Sequence, residues 1–426
     1  MSTQKFETLA LHAGLSEDGS PSRAPAVHRT TAYNFKNTEH AANLFALKEL
    51  GYIYTRLQNP TQNVLEERVA ALEGGVAALA LASGTSAVFY SIINIAVAGD
   101  EIVSSAHLYG GTFTMFNDIL PKYGITVRFV DPLDHSAIKA AINGKTRAVF
   151  VESIGNPALS VPDFRAIADI AHAHRVPLIV DATFTTPYLA RTIEFGADIV
   201  VDSLTKWMGG HGTGIGGVVV DSGRFDWTDP KFTTMNEPDG SYHGLRYAHD
   251  LGELSPLAYI LRMRLVPLRN LGAAIAPDNA WIFLQGLETL SLRMERHSQN
   301  AQTVAEHLSR HPKVEWTNYP GLPDHPTHTN AVKYLKNGFG GMVVFGIQGG
   351  RDAGRRFIDS LELFSHVANV GDAKSLAIHP ATTTHSQLDE EQQRAAGLPP
   401  EMVRLSIGIE HIDDIIADID SALGTA

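Results

Sequence analysis

The sequence predicts an α/β protein in which a large, mostly parallel sheet of seven strands is followed by a smaller C-terminal α+β domain. From Thr61 onward, short and almost entirely apolar runs alternate with stretches of helical periodicity, a pattern typical of a parallel sheet covered by helices on both faces. The chain has 426 residues, of which 44% are hydrophobic and 19% are charged, and this suits one large domain or two. Helical periodicity from Asp278 to about Leu308 predicts a helical connection between the domains.

The individual segments fit this architecture. Residues 1–60 are rich in proline and turn-forming residues, with helical periodicity only over Glu39–Leu50, and predict an extended arm that lies on another surface, such as that of a neighbouring subunit. The large domain is predicted over 61–288, with an ordered, aromatic-rich insertion at about 221–276, and the C-terminal domain over 289–426. The predicted strands of the large domain are Ala77–Ala82, Glu101–Ser104, Thr126–Val130, Arg147–Val151, Leu178–Val180, Ile199–Val201 and Gly216–Val220. The C-terminal domain is predicted to contain strands Gly341–Phe345 and Val403–Ser406 and helices Arg351–Ser360 and Ile412–Leu423.

Charge and composition disfavour several classes of function. The chain has 46 acidic and 34 basic residues, a net charge of −12 and no run rich in Lys or Arg, so a nucleic-acid binder or an anionic-membrane binder is not expected. With no cysteine, the chain cannot form a disulfide, an iron–sulfur cluster or a thiol nucleophile. Residues 1–10 lack an apolar signal core and no apolar run is long enough to span a membrane, so we expect a cytoplasmic protein.

Polar residues follow three consecutive predicted strands at the edge where open α/β sheets bind ligands. The first strand leads to Glu152 and Asn156, the second to Asp181, and the third to Lys206. The carboxyl ends of parallel strands meet at one edge, so we expect these side chains to converge on one site.

An aspartate and a lysine at two such ends are the groups that pyridoxal phosphate (PLP) most needs. A lysine amine bonds to the cofactor aldehyde, and an aspartate keeps the pyridine nitrogen protonated. Taken alone, Asp181 and Lys206 are weak evidence, because a strand-end turn or helix cap and an exposed charge are the commoner explanations of such a pair. The glycine-rich segment 209–217 favours the cofactor, because small residues leave room for a ring and a phosphate near the backbone.

A phosphate cradle is predicted where Ser83, Gly84 and Thr85 follow a short strand and open the helical stretch Ala87–Ala98. Backbone N–H groups at a helix N-terminus, helped by the helix dipole, bind anions. The alternative is an ordinary helix cap.

Three further aromatic or basic residues are candidates for cofactor contacts. Tyr54 and Arg56 on the arm suit phosphate oxygens, since a phenol and a guanidinium fork both donate hydrogen bonds to them. The alternative interpretation is that the two residues form a pair on the surface of the arm. Tyr109 is a candidate to stack on the cofactor ring, or else covers the core.

Together these motifs resemble the Cys/Met-metabolism family of PLP-dependent enzymes, which has the fold-type I architecture of aspartate aminotransferase. The resemblance covers almost the whole chain. It rests on Tyr54-Thr-Arg56, Ser83-Gly-Thr85, Tyr109-Gly-Gly111, Glu152–Pro157, Asp181-Ala-Thr183, Ser203–Lys206, Ser375-Leu376 with His379-Pro380, and Arg404–Gly408.

The resemblance implies a role for each site residue. Lys206 is the Schiff-base lysine that also carries protons, Asp181 is the pyridinium partner, Tyr109 is the stacking ring, and Tyr54 or Tyr109 assists proton transfer. The other implied cofactor ligands are Ser83, Gly84, Thr85, Asn156, Thr183, Ser203 and Thr205, together with Tyr54 and Arg56 from a neighbouring subunit. The implied ligands of the substrate α-carboxylate are Arg404, with Asn156 and the backbone near Asn369 and Ser375 assisting. The active unit is then at least a dimer and commonly a tetramer.

The implied reaction is γ-replacement, in which O-acetyl-L-homoserine and sulfide give L-homocysteine and acetate in methionine biosynthesis. The O-acetylhomoserine sulfhydrylase branch is favoured by the segments Phe6–Gly14, Leu363–Gly371 and His379–His385 and by the insertion after Asp221. Methionine γ-lyases of this family are shorter and carry Cys at the position of Gly111, which disfavours lyase activity for this chain.

Several alternatives stay open at this point. They are cystathionine γ-synthase activity with cysteine as the nucleophile, methionine γ-lyase activity, direct use of methanethiol, and a catalytically silent relative. Intact Lys206, Asp181 and Arg404 disfavour the silent relative. A metal enzyme is disfavoured because His172 and His174 do not face the same side of a helix and the loop around His325 has no partnering carboxylate run, so no metal site is predicted among the 19 histidines.

Overall fold

A computed structural model describes residues 4–15, 22–383 and 397–426 of the chain, which form two sheets covered by helices. The last two residues of the motif His379–His385 lie outside the described residues. Within the described part of the chain, no helix has both the length and the apolar character needed to cross a membrane.

The large sheet contains seven strands in the order β1-β7-β6-β5-β4-β2-β3. The strands are β1 (Ala77–Leu81), β2 (Glu101–Ser105), β3 (Thr126–Val130), β4 (Thr146–Glu152), β5 (Leu178–Asp181), β6 (Ile199–Asp202) and β7 (Gly217–Asp221). All neighbours from β3 to β6 are parallel, whereas β7 is antiparallel to β1 and to β6. The predicted large, mostly parallel sheet is therefore confirmed, with each strand found where an apolar run predicts it.

The smaller sheet contains five strands in the order β10-β11-β12-β9-β8. They are β8 (Val314–Asn318), β9 (Met342–Ile347), β10 (Ser365–His366), β11 (Leu376–Ile378) and β12 (Met402–Ser406). The sequence predicts β9 and β12, which are mostly buried, but not the other three. Strand β8 carries polar, partly exposed residues, and β10 is only two exposed residues long, so neither has an apolar run.

Helices cover both sheets and connect them. The α-helices are Phe6–His12, Thr38–Phe45, Pro60–Glu73, Gly84–Ile93, Gly110–Thr114, His135–Ala141, Phe164–Ala173, Thr186–Leu189, Thr233–Asn236, Ala258–Met263, Arg269–Leu271, Pro277–Glu288, Leu290–Leu308, His328–Tyr334, Gly350–Ser360 and Ile412–Thr425. Short π-helical or 3₁₀ turns lie at Met115–Ile119, Leu120–Tyr123, Thr192–Phe195, Gly252–Leu257, Arg264–Leu268 and Pro380–Thr382.

Two helical predictions differ from the structure. The periodicity over 278–308 belongs to two helices that are separated at Thr289, where the backbone leaves helical geometry. The arm helix predicted over Glu39–Leu50 ends at Phe45, because Leu47 adopts a positive φ of 55° that an α-helix cannot contain.

The large sheet is buried on both faces, which explains its apolar runs. Successive residues of β4 enter opposite cores, with Val149 and Val151 in one and Ala148 and Phe150 in the other. Phe150 is fully buried and packs edge-to-face on Phe116 with ring centroids 5.1 Å apart. Its truncation to alanine would cost about 3–5 kcal/mol of unfolding free energy. This rigid sheet fixes the strand ends at which polar residues cluster.

Candidate active site

A cavity of about 230 Å³ lies at the carboxyl ends of β4, β5 and β6, with β12 of the smaller sheet contributing to its wall. Most of the site residues predicted from the sequence line it. They are Ser83, Gly84, Thr85, Tyr109, Asn156, Asp181, Thr183, Ser203, Thr205, Lys206, Asn369 and Arg404. A larger cavity of about 740 Å³ between the arm and helix Pro60–Glu73 contains none of the predicted site residues, so we place the chemistry in the smaller one.

Two carboxyl groups stand side by side at one end of the cavity. The register of β4 and β5 pairs Glu152 with Asp181. Burial raises the pKa of Asp181, whose Oδ1 accepts the backbone N–H of Thr183 at 3.0 Å. Burial and the neighbouring Asp181 raise the pKa of Glu152 well above its usual range. A bound cation in the cavity would therefore stabilise the ionised form of Asp181.

Glu152 has a function that the sequence does not assign. Its Oε1 accepts the backbone N–H of Tyr109 at 2.6 Å, so it fixes the start of the segment that carries the tyrosine ring. The position of Glu152 at the end of β4, opposite Asp181, is the feature from which a role in the site could have been predicted.

Lys206 lies in the turn that follows β6, and its amine points into the cavity wall. The Nζ atom donates to Oδ1 of Asn369. Burial, and secondarily the positive charge of Arg404, lower the pKa of Lys206 to about 8. An amine with a pKa near 8 is unprotonated in a useful fraction of molecules at neutral pH, as a nucleophile and base requires.

Buried contacts hold the turn that carries Lys206. Arg293, in helix Leu290–Leu308, donates to the carbonyl oxygens of Trp207 at 2.6 Å and of Met208 at 3.2 Å. Gly210 has a positive φ of 71°, and a Cβ there would lie 2.0 Å from Nη1 of Arg293. The sequence gives no local signal for Arg293, because the contact spans more than eighty residues.

The predicted phosphate cradle is an N-terminal helix turn. Helix Gly84–Ile93 begins after Ser83, whose Oγ accepts the N–H of Ser86 at 3.0 Å. A Cβ on Gly84 would lie 2.6 Å from Cβ of Ser203, so only glycine allows this close approach. The first amides of the helix lack intrahelical acceptors and form an anion site. Among the described residues, Lys206 and Arg404 are the only lysine or arginine side chains that line this cavity.

Two hydroxyl groups fix the backbone beside the cradle. Oγ1 of Thr183 accepts the N–H of Ser203 at 2.9 Å. Oγ1 of Thr205 donates to the carbonyl oxygen of Gly216 at 3.2 Å and accepts its N–H at 3.1 Å. Both threonines therefore also shape the loop on which Lys206 is mounted.

Arg404 places a buried positive charge at the opposite wall. Nη1 donates to Oδ1 of Asn156 at 3.1 Å. Burial lowers the pKa of Arg404 to about 10, so the side chain stays charged at neutral pH. Within the described part of the chain, Arg404 forms no salt bridge. A buried guanidinium without a carboxylate partner calls for an anionic ligand.

Three predicted site residues lie outside the cavity. Tyr54 and Arg56 are exposed on the arm, with the guanidinium 5.4 Å above the tyrosine ring, so this chain does not bring them to its own cavity. The sequence predicts Ser375 near the substrate carboxylate. The structure instead buries it completely and bonds it to Glu410, which accepts its hydroxyl at 2.9 Å and its N–H at 2.6 Å.

The ring of Tyr109 is half-exposed at the cavity mouth, with 53% of its surface accessible. A Cβ at Gly111 would lie 2.5 Å from Cε1 of this ring. A side chain at position 111 would therefore displace the tyrosine from the position it occupies here.

The donor set fits PLP. Lys206 supplies the amine, Asp181 the carboxylate, the amides after Ser83 the anion cradle, and Arg404 a cation for a substrate carboxylate. No group of three or more His, Asp or Glu side chains able to hold a metal ion is found in 4–15, 22–383 and 397–426.

Comparisons with known proteins agree with this chemistry. The sequence profile of the Cys/Met metabolism PLP-dependent enzymes matches residues 7–424. The chain is 54% identical to an O-acetyl-L-homoserine sulfhydrylase of Leptospira meyeri, over 98% of this chain and 96% of that protein. It is 52% identical to a homocysteine synthase of Schizosaccharomyces pombe, over 100% of this chain and 99% of that protein.

A solved structure is similar over its whole length. A Campylobacter jejuni protein described as an O-acetylhomoserine (thiol)-lyase has a TM-score of 0.95 and 41% identity, covering 99% of this chain and 100% of that one. Its crystal structure contains a pyridoxyl-lysine monophosphate.

Proposed function

We propose, from the premise that the chain belongs to the Cys/Met-metabolism family of PLP-dependent enzymes, that it converts O-acetyl-L-homoserine and sulfide to L-homocysteine and acetate in methionine biosynthesis. The observation that carries this proposal is the joint presence of Lys206, Asp181 and Arg404 around one cavity. The names of the relatives described above support the same reaction.

PLP is held by groups on three sides of the cavity. Asp181 would pair with the pyridine nitrogen, Tyr109 would cover the ring, and the amides of Gly84 and Thr85 would bind the phosphate, with Ser203 beside them. When bound, the cofactor supplies an aldehyde carbon for the substrate amine and a ring that takes up the electrons left behind by a departing proton.

Lys206 performs the proton transfers. With its amine free, Lys206 would remove a proton from the substrate α-carbon and then one from the β-carbon. Acetate then leaves from the γ-carbon, and sulfide adds there. Asn369 accepts a hydrogen bond from Nζ and so restricts the directions in which the amine can move. The low pKa of Lys206 allows the same group to accept and return protons near neutral pH.

Arg404 and Asn156 position the substrate. The guanidinium pairs with the α-carboxylate, which supplies the anionic partner that the chain itself does not provide, and Asn156 orients the guanidinium through its 3.1 Å hydrogen bond. With the α-carboxylate and α-amine fixed, the γ-carbon has little freedom to move when acetate leaves and sulfide adds.

The active unit is a homo-oligomer, a tetramer built from dimers that share active sites. Among the described residues, the cavity has no arginine or lysine besides Lys206 and Arg404, and Tyr54 and Arg56 are exposed on the arm, so a second copy supplies them as phosphate ligands. A cytoplasmic location is part of this hypothesis, and cell fractionation tests it.

Product analysis tests the reaction. Purified PLP-loaded protein is given O-acetylhomoserine with sulfide, with cysteine, with methanethiol, or with no nucleophile, and the same set is repeated with O-succinylhomoserine. We expect homocysteine from the acetyl ester and sulfide. Cystathionine as the main product would reassign the protein to cystathionine γ-synthase activity. Formation of 2-oxobutanoate without a nucleophile would mean that elimination dominates.

A further inference from the structure

Two carboxyl groups face each other in the protein interior directly behind the proposed cofactor site. Glu73 is the last residue of helix Pro60–Glu73, and Asp202 is the last residue of β6. Both side chains are fully buried. Their four carboxylate oxygens receive no hydrogen bond from a donor among the described residues, and the two carboxyl groups lie within hydrogen-bonding reach of each other.

Two facing carboxylates without a donor require a proton between them. Two buried negative charges at hydrogen-bond distance repel each other strongly, whereas one shared proton converts the repulsion into an O–H···O hydrogen bond. Burial raises the pKa of Glu73 to about 8, and burial and Glu73 raise the pKa of Asp202 well above its usual range. The pair therefore retains at least one proton at neutral pH.

The charges around the pair are Arg191 on one side and Asp181 on the other. The positive charge of Arg191 favours ionisation of Glu73, and both residues line the cavity of about 740 Å³ between the arm and helix Pro60–Glu73. Asp181 lies in β5, opposite Val201, which precedes Asp202, and its charge disfavours ionisation of Asp202. One shared negative charge is partly offset by Arg191, which also pairs with Glu194 at 3.8 Å. A second one would stand unbalanced behind Asp181.

We propose that Glu73 and Asp202 are positioning residues that share one proton and thereby keep Asp181 ionised at the cavity. With the proton in place, Asp181 carries the charge at this strand edge. Loss of the proton would add negative charge behind Asp181 and favour its protonation, which removes the partner of the pyridine nitrogen. The effect on Asp181 rests on the proposed PLP function, whereas the shared proton between Glu73 and Asp202 does not.

Two substitutions at Glu73 test the shared proton. The amide introduced by Glu73→Gln donates a permanent hydrogen bond to Asp202, so the geometry is kept and no proton is needed. The folded pKa is raised, so wild-type stability falls as the pH rises toward about 8. We expect Glu73→Gln to match wild type near pH 4.5, the pKa of an unfolded glutamate, and to have a melting temperature about 2–4 °C higher above about pH 8. Glu73→Ala leaves Asp202 without a partner and should melt lower at every pH.

Asp221→Asn is the matched control. Asp221 is a fully buried carboxyl on β7 with a pKa raised by burial to about 7, but it bonds to the N–H of Gly223 and does not interact with Asp181. Equal losses of stability in Glu73→Gln and Glu73→Ala across the pH range would overturn the shared proton.

Retention of PLP tests the effect on Asp181. The fraction of PLP that stays with the protein after desalting is measured by absorbance as a function of pH. We expect retention to fall at alkaline pH in wild type and in Asp221→Asn, but to stay constant in Glu73→Gln. Identical curves for wild type and Glu73→Gln would overturn the positioning role. Failure of wild type to bind PLP at any pH would instead contradict the proposed function.

Discussion

The cavity wall and the N-terminal arm both carry predicted phosphate ligands, but the chain holds them in different ways. At the wall, Ser203 is fixed by Thr183 and approached closely by Gly84. On the arm, the side chains of Tyr54 and Arg56 are exposed, with the guanidinium 5.4 Å from the centre of the tyrosine ring. The sheet-edge residues are thus organised within one chain, whereas the proposed function assigns the arm residues to the site of a second copy.

The comparison also concerns charge. The wall supplies amides and hydroxyl groups to a phosphate, and its two cations, Lys206 and Arg404, are assigned to other groups. A phosphate dianion bound only by neutral donors would be held weakly relative to one that also meets an arginine fork. In the proposed function the arm arginine supplies this fork, and substitutions can separate its contribution from that of the wall.

Lys206→Ala should have the largest effect. Without the amine there is neither a bond to the cofactor nor a base, so we expect turnover to fall by about 10³-fold or more while the fold is retained. Turnover is measured as homocysteine formed, with circular dichroism as the check on folding. Lys206→Arg is the matched control: it keeps the positive charge but cannot act as a nucleophile, and it should be equally inactive. Near-normal turnover in either variant would refute the assignment of Lys206.

Arg56→Ala should have the next largest effect. Loss of one charge-assisted contact to phosphate should weaken PLP binding by about 10–100-fold, measured by titrating the cofactor-free protein. Arg29→Ala is the control on the same arm, because Arg29 is also exposed but pairs with Asp278 of its own chain.

Subunit mixing decides which chain Arg56 serves. Arg56→Ala and Lys206→Ala subunits are each inactive under limiting PLP, but a hybrid dimer has one site with an intact lysine and the partner's intact arginine. We expect activity to reappear on mixing. If Arg56 served its own chain, every site would lack one of the two groups and mixing would restore nothing.

The sequence predicts the large sheet and most of the cavity wall for one physical reason. Strands buried on both faces are continuous apolar runs, so their ends are visible in the sequence, and parallel strands bring those ends together. Asp181, Lys206 and the polar residues around them follow from this rule. The short polar strands β8 and β10 lack such runs, so the rule misses them.

The remaining parts of the site depend on contacts between residues far apart in the chain. Ser375 bonds to Glu410, Arg293 supports the turn after Lys206, and Glu73 meets Asp202. Each contact joins side chains on different elements, and no local pattern of polar and apolar residues encodes which of them meet. Position at a strand end predicts where a side chain lies, but not its partner.

Lys206→Met should have the smallest effect, and it concerns stability rather than turnover. The folded pKa of Lys206 is about 8, below the value of about 10.4 for an unfolded lysine. Below about pH 8 the lysine is charged in both states, so the cost of burying the charge is fully present. Between the two pKa values the unfolded state binds more protons, and stability therefore rises with pH.

A methionine of similar length removes this cost, since it fills the same space without a charge. We expect cofactor-free Lys206→Met to be more stable than cofactor-free wild type by about 1–2 kcal/mol near neutral pH. The difference should shrink toward zero above about pH 10.4. Thermal melts across this pH range measure it, with exposed Lys139→Met as the control that should show no such trend. A constant difference at all pH values would mean that packing, and not the buried charge, makes wild-type Lys206 destabilising.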